Sequence, residues 1–290
     1  MDWKGRRGSA NIEDRRTRSA SRASGSARAG GLGGVGLIAV LVIGWFLGID
    51  VTPLLQDQSA GGPAPSAETA ALTPADRAAG DFVSVVLADT EEIWAKVFRD
   101  QLGETYRPAT LVLFKTATAS PCGGASEATG PFYCPADRKV YLDTSFFTTI
   151  SQQLGAGGDF AAAYVVAHEV GHHIQNELGI LGEANRIRQQ SAQAESNAIS
   201  VRIELQADCL SGIWAREAAQ TLGVVDAGDL EEAVNAARQI GDDTLQRSAG
   251  QRPMPHTFTH GTSEQRSRWF MIGLKSGQIG DCDTFAASRL

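Results

Sequence analysis

His168-Glu169-Val170-Gly171-His172 decides how this chain is read. Side chains four residues apart share one helix face, so the two imidazoles can point at a single ion. The preceding run, Asp159-Phe160-Ala161-Ala162-Ala163-Tyr164-Val165-Val166-Ala167, favours that helix, with Asp159 as its expected N-cap. Glu169 stands beside the pair, where a carboxylate can take a proton from a metal-acidified water. His173 is rotated by about 100° from His172, which turns it away from such a centre and makes it a surface or packing residue.

Two imidazoles fall short of the three protein ligands that a catalytic zinc usually takes. Downstream, Arg202-Ile203-Glu204-Leu205-Gln206-Ala207-Asp208-Cys209 has helical composition, and Glu204 and Asp208 share a face. Glu204 is the expected third ligand. Asp208, one turn on, is placed to accept the second ring N–H of a ligand histidine and fix its tautomer. Without the two histidines, the same carboxylate pair would read as a solvated helix face.

Further motifs run along the chain. Met1-Asp2-Trp3-Lys4-Gly5-Arg6-Arg7, Asn11-Ile12-Glu13-Asp14-Arg15-Arg16, GPFYCPAD at 130–137, HEVGHHIQ at 168–175, ELQADC at 204–209 and FTHGTSEQR at 258–266 together resemble the putative neutral zinc metallopeptidase family. HEVGH followed by ELQAD also resembles the gluzincin peptidases, whose second motif supplies a glutamate ligand and an aspartate partner. The resemblance implies a membrane-anchored peptidase with Zn2+ as cofactor and a peptide or protein as substrate. By the same likeness, extended substrate would lie antiparallel to an edge strand, for which residues 138–143 are the candidate.

Peptide hydrolysis also needs a group to hold the developing oxyanion. His256 and His260 lie in a proline-punctuated loop ahead of a helix that Thr262 and Gln265 can open as a capping box. His260 is the favoured catalytic candidate, with an ordinary loop histidine as the alternative.

Residues 32–49, LGGVGLIAVLVIGWFLGI, carry no charge and as a helix would span about 27 Å, enough for a bilayer core. Residues 1–31 hold eight basic against three acidic residues, a balance of +5, whereas residues 50–76 hold only acids. The positive-inside rule then predicts a cytoplasmic N-terminus, a single uncleaved membrane helix and a catalytic domain outside, periplasmic or extracellular. A cleaved signal peptide is the rival reading. Removing that +5 from the chain's −7 leaves −12 for residues 32–290, which disfavours nucleic acid as a partner of the catalytic part. The sequence sets no oligomeric state.

Cys122, Cys134, Cys209 and Cys282 lack CxxC spacing, which disfavours a thiolate zinc site, and an even count in the oxidising compartment expected outside the membrane predicts two disulfides. Of the three pairings, Cys122 with Cys134 and Cys209 with Cys282 are preferred; the first pair flanks a glycine-rich loop. The rest divides simply. Residues 50–72 read as a flexible linker, and Thr73-Pro74-Ala75-Asp76 as a helix start. Leu111–Phe114 and Lys139–Leu142 read as strands, and 183–220, 227–247 and 262–275 as helices. With 42% hydrophobic residues, 73–290 forms one α+β domain: zincin-like, dominated by helices, with a small β-sheet. Two other functions fit the sequence: a metal-stabilised membrane scaffold or chaperone-like protein without catalysis, and a zinc hydrolase of non-peptide envelope amides.

Overall fold

The computed structural model describes residues 1–17, 71–126, 129–152 and 155–290. Helix α1, Pro74–Val97, starts as its sequence dictates. Thr73 Oγ1 accepts the Asp76 N–H at 3.1 Å, and the Asp76 carboxylate accepts the Thr73 N–H at 2.9 Å. Its buried stripe, from Phe82 to Val97, packs on the sheet and on the helix bearing the HExxH motif.

The main sheet has the order β1-β2-β6-β5, built from Ile12–Asp14, Thr110–Phe114, Lys139–Asp143 and Phe132–Cys134. β1, β2 and β6 run parallel, with Ile12 opposite Leu111 and Leu111 opposite Val140, while β5 runs antiparallel to β6. Alternation along β2 serves two faces. Leu111 and Leu113 enter the helical core, and Val112 and Phe114 enter a smaller cluster with Ala125, Cys134 and Tyr141. The hairpin of β3, Ala117–Ser120, and β4, Gly123–Ser126, supplies Ala125 to that second cluster.

Seven further helices complete the described fold: α2 Phe146–Gln152, α3 Asp159–Glu177, α4 Ile180–Arg188, α5 Gln193–Glu217, α6 Asp229–Gln239, α7 Asp242–Ser248 and α8 Ser263–Ser276. The expected capping box opens α8, with Thr262 Oγ1 accepting the Gln265 N–H at 3.1 Å. α5 and α8 cross so closely that a Cβ on Gly212 or Gly273 would strike the opposing backbone, at Phe270 and Cys209 respectively. Both preferred disulfides are present, Cys122–Cys134 and Cys209–Cys282, and the second ties the C-terminal tail to α5 beside Asp208.

Several expectations need correction. Residues 138–143 do not form an edge strand, because β6 lies between β2 and β5. The N-cap of α3 is Gly158, at φ 110°, and the Asp159 carboxylate instead receives the Met1 ammonium at 2.7 Å. The helical stretch 227–247 breaks at Ile240-Gly241, where the backbone of Ser263 leaves no room for a side chain. The stretch 183–220 divides likewise between α4 and α5. Residues 1–17 do not stand apart from the domain, since β1 is a strand of its main sheet. The expected membrane helix, residues 32–49, lies outside the described residues, as does most of the expected linker. Among the described residues, no helix is long and apolar enough to cross a membrane.

Candidate metal centre

The two motif helices meet at Gly171. A Cβ there would lie 3.0 Å from the Ala207 carbonyl oxygen and 3.2 Å from its Cα, so the missing side chain is what lets α3 approach α5. His168 and His172 reach across this contact from α3, and Glu204 reaches back from α5. His168 Nε2 lies 3.1 Å from Glu204 Oε2, and His172 Nε2 lies 3.5 Å from Glu204 Oε1. The rings sit 4.9 Å apart and nearly perpendicular, and one donor atom from each of the three residues falls within 4.8 Å of the others.

Each imidazole is oriented from behind. His168 Nδ1–H donates to Asp208 Oδ1 at 2.9 Å, and His172 Nδ1–H donates to Gln175 Oε1 at 2.8 Å. Gln175 is fixed in turn by donating to the Ile203 carbonyl and to Gln206 Oε1 at 2.8 and 2.9 Å. Both Nε2 atoms therefore face Glu204, and the three side chains together could hold a metal ion.

Asp208 is fully buried and holds more than a histidine. Tyr164 donates its O–H to Oδ1 at 2.5 Å, and Arg266 spans both oxygens, Nε to Oδ2 at 2.9 Å and Nη2 to Oδ1 at 3.0 Å. Burial alone would push the Asp208 carboxyl up; Arg266 and His168 outweigh it and hold it below its ordinary range. The same balance acts at the centre. Burial opposes charge on His168, yet the Asp208 and Glu204 carboxylates raise it to about 10. Burial would raise Glu204, but His172 and His168 hold it well below the carboxylate range. The pocket thus favours positive charge between these side chains, as a divalent cation site requires.

Glu169 differs from the other carboxylates. It is buried beside the histidines and makes no side-chain hydrogen bond to another described residue. Burial raises its pKa, and His172 and His168 reverse this only in part. Such a carboxylate is a stronger base than a solvated one.

The structure places His260 outside the three-residue cluster. Its Nδ1 lies 3.2 Å from Asp242 Oδ1, while Asp242 Oδ2 accepts the backbone N–H groups of Thr259, His260 and Gly261 at 2.7–2.9 Å. Burial disfavours charge on His260, but Asp242 and then Glu204 raise its pKa. His256 is exposed and meets Asn197 through its carbonyl oxygen alone. His173 is a packing residue, as expected: it is buried against Tyr106 and Tyr133, and hydrogen-bonded to Tyr133 Oη and the Arg107 carbonyl. A second acidic cluster, Asp159, Asp229 and Glu232, already holds a cation, the Met1 ammonium.

The sequence matches the model of the putative neutral zinc metallopeptidase family over residues 1–285. The chain belongs to that family. It is 44% identical over 291 residues to the uncharacterised protein YpfJ of Escherichia coli K12, covering 99% of this chain and 100% of that one. It is 45% identical over 188 residues to the uncharacterised protein Rv2575 of Mycobacterium tuberculosis H37Rv, covering 61% and 62% of the two chains. No solved structure matches it.

Sequence reasoning missed four groups of this family member's centre: Tyr164, Gln175, Asp242 and Arg266. Two had a local signal, since Tyr164 precedes His168 by four residues and Gln175 follows His172 by three, both on the motif's own helix face. Arg266, on α8, had only its place at the end of the FTHGTSEQR motif, and Asp242, on α7, had none.

Proposed function

We propose that this chain is a zinc-dependent peptidase in which His168, His172 and Glu204 hold the ion. The observation that carries the proposal is the convergence of two Nε2 atoms and one carboxylate, each imidazole fixed through its other nitrogen, with Glu169, hydrogen-bonded to no described side chain, alongside. Zinc bound there would supply Lewis acidity and lower the pKa of a water. Glu169 would take a proton from the attacking water and pass it to the leaving amine, a role suited to a carboxylate whose pKa burial has raised. His260, steadied by Asp242, is assigned to the oxyanion side of the same reaction. Asp208 and Gln175 hold the ligand rings.

With β6 interior, the sheet edge nearest the motif helix is β5, tied to α3 through Tyr133 and His173. Extended substrate is assigned to that edge, where main-chain hydrogen bonding gives affinity with little side-chain selectivity. Residues 32–49 are assigned to membrane attachment on their composition alone.

The test uses the full chain, because β1 belongs to the domain. Purified protein should bind one zinc and cleave peptides. Glu169→Gln should keep the metal and lose turnover by about 10²–10⁴-fold. A Glu169→Gln protein that cleaves peptides at the parental rate would refute the general-base role. A parent that binds zinc yet cleaves neither peptides nor folded proteins would refute the peptidase assignment.

A further inference from the structure

We infer that residues 1–17 and the zinc-site domain occupy the same side of any membrane, because the groove along α1 and β2 is the seat of the chain's own N-terminal segment. The segment is anchored at points from Met1 to Arg16. Asp2 N–H donates to the Val224 carbonyl at 2.9 Å and Ser9 N–H to the Ser84 carbonyl at 2.9 Å. Beyond them β1 enters the sheet: Leu111 N–H donates to Asn11 at 2.9 Å, and Arg15 N–H to Leu113 at 2.7 Å. Met1 is buried in the main core, and Trp3 packs edge-on to Phe82 with ring centres 5.4 Å apart.

The charges that suggest a cytoplasmic N-terminus take part in this docking. Arg6 pairs with the buried Asp89 of α1 at 2.5 Å. Arg16 binds Asp14 at 2.7 Å and the Asp76 carbonyl, and its guanidinium fills the space over Gly80. Glu13 of β1 accepts from Lys139 of β6 at 2.7 Å, across the intervening strand β2. Undocking would expose the β2 edge, strip Asp89 of its partner and open the core at Met1 and Trp3.

A hydrocarbon core about 30 Å thick cannot stand between strands joined by hydrogen bonds under 3 Å. β1 seated on β2 of the same chain therefore puts residues 1–17 and the domain on one side. This holds whether or not the centre is catalytic.

The test places a single extra cysteine at the exposed positions Ala10 or Ala194 in the full chain. Cells expressing A10C or A194C are treated with a membrane-impermeant maleimide, intact and after lysis. The two sites should behave alike, both labelled in intact cells or both labelled only after lysis. Labelling of one and protection of the other in intact cells overturns the inference. Hydrogen exchange on the purified full chain supplies the second measurement. The amides of Glu13 and Arg15, the ones the parallel register turns toward β2, should be protected together with those of Leu111–Phe114. Exchange of β1 at the rate of an unstructured peptide, with β2 protected, overturns it equally.

Discussion

Replacing Asp208 by Asn tests the reasoning about the zinc site most sharply. The two Asp208 oxygens accept four hydrogen bonds: Oδ1 from Tyr164, His168 and Arg266 Nη2, and Oδ2 from Arg266 Nε. An Asn can keep its oxygen at the Oδ1 position and so retain three of them. Its amide N–H would then face the Arg266 Nε–H across 2.9 Å, and the buried guanidinium would lose its counter-charge. Leaving one member of a buried ion pair alone costs about 3–5 kcal/mol. At about 2–4 °C per kcal/mol for a domain of this size, the melting temperature should fall by about 6–20 °C. His168 keeps its hydrogen bond but loses the anion that raises its basicity, so zinc affinity should fall by about 10–100-fold, or 1.4–2.7 kcal/mol. Competition titration against a fluorescent zinc chelator measures the affinity, and calorimetry the stability. A variant that melts early yet binds zinc within about twofold of the parent would refute the role given to Asp208 at His168.

Other consequences can be measured in the same way. Gly171→Ala puts a methyl group against the Ala207 backbone, so the variant should lose about 1–3 kcal/mol by calorimetry and bind zinc more weakly in the chelator titration. Replacing Cys209 and Cys282 by Ala opens a loop spanning 73 residues, and denaturant unfolding should show a loss of about 4 kcal/mol. The Asp242 carboxyl, despite burial, is held below its ordinary 3.8 by His260 and the backbone N–H groups, so its stabilisation is present above that pH and lost as pH falls through the folded pKa. Melting temperature plotted against pH should therefore fall less steeply on the acid side for Asp242→Asn than for the parent. Gln175→Leu removes the acceptor of His172 Nδ1–H and should weaken zinc binding by about 10–100-fold without touching the ligands, as read by the same titration.

Chain order alone determined whatever depends on residues a few positions apart. The helical repeat put His168, Glu169 and His172 on one surface, as it put Asp208 one turn beyond Glu204. The capping box of α8 was legible for the same reason, since the Thr262 hydroxyl and the Gln265 amide stand three residues apart, and the start of α1 was legible from Pro74 at its first position. Of the disulfides, Cys122–Cys134 closes a local glycine-rich loop, whereas Cys209–Cys282 could be chosen only by preference among pairings.

Tertiary structure decided the rest. Period-two hydrophobicity identifies a strand but not its neighbours, so β6 could look like an edge while lying between two partners. The arginines of the first 17 residues read as a topology signal because two of their partners, the Asp89 carboxylate on α1 and the Asp76 carbonyl, are distant in sequence. The pairing of Ile12 with Leu111 carries no local signature, because a parallel ladder is set by what the remaining chain leaves open. Arg266 and Asp242 joined the centre in the same way, through helix crossings permitted by Gly212, Gly273 and Gly241, where a missing side chain rather than a present one fixes the geometry.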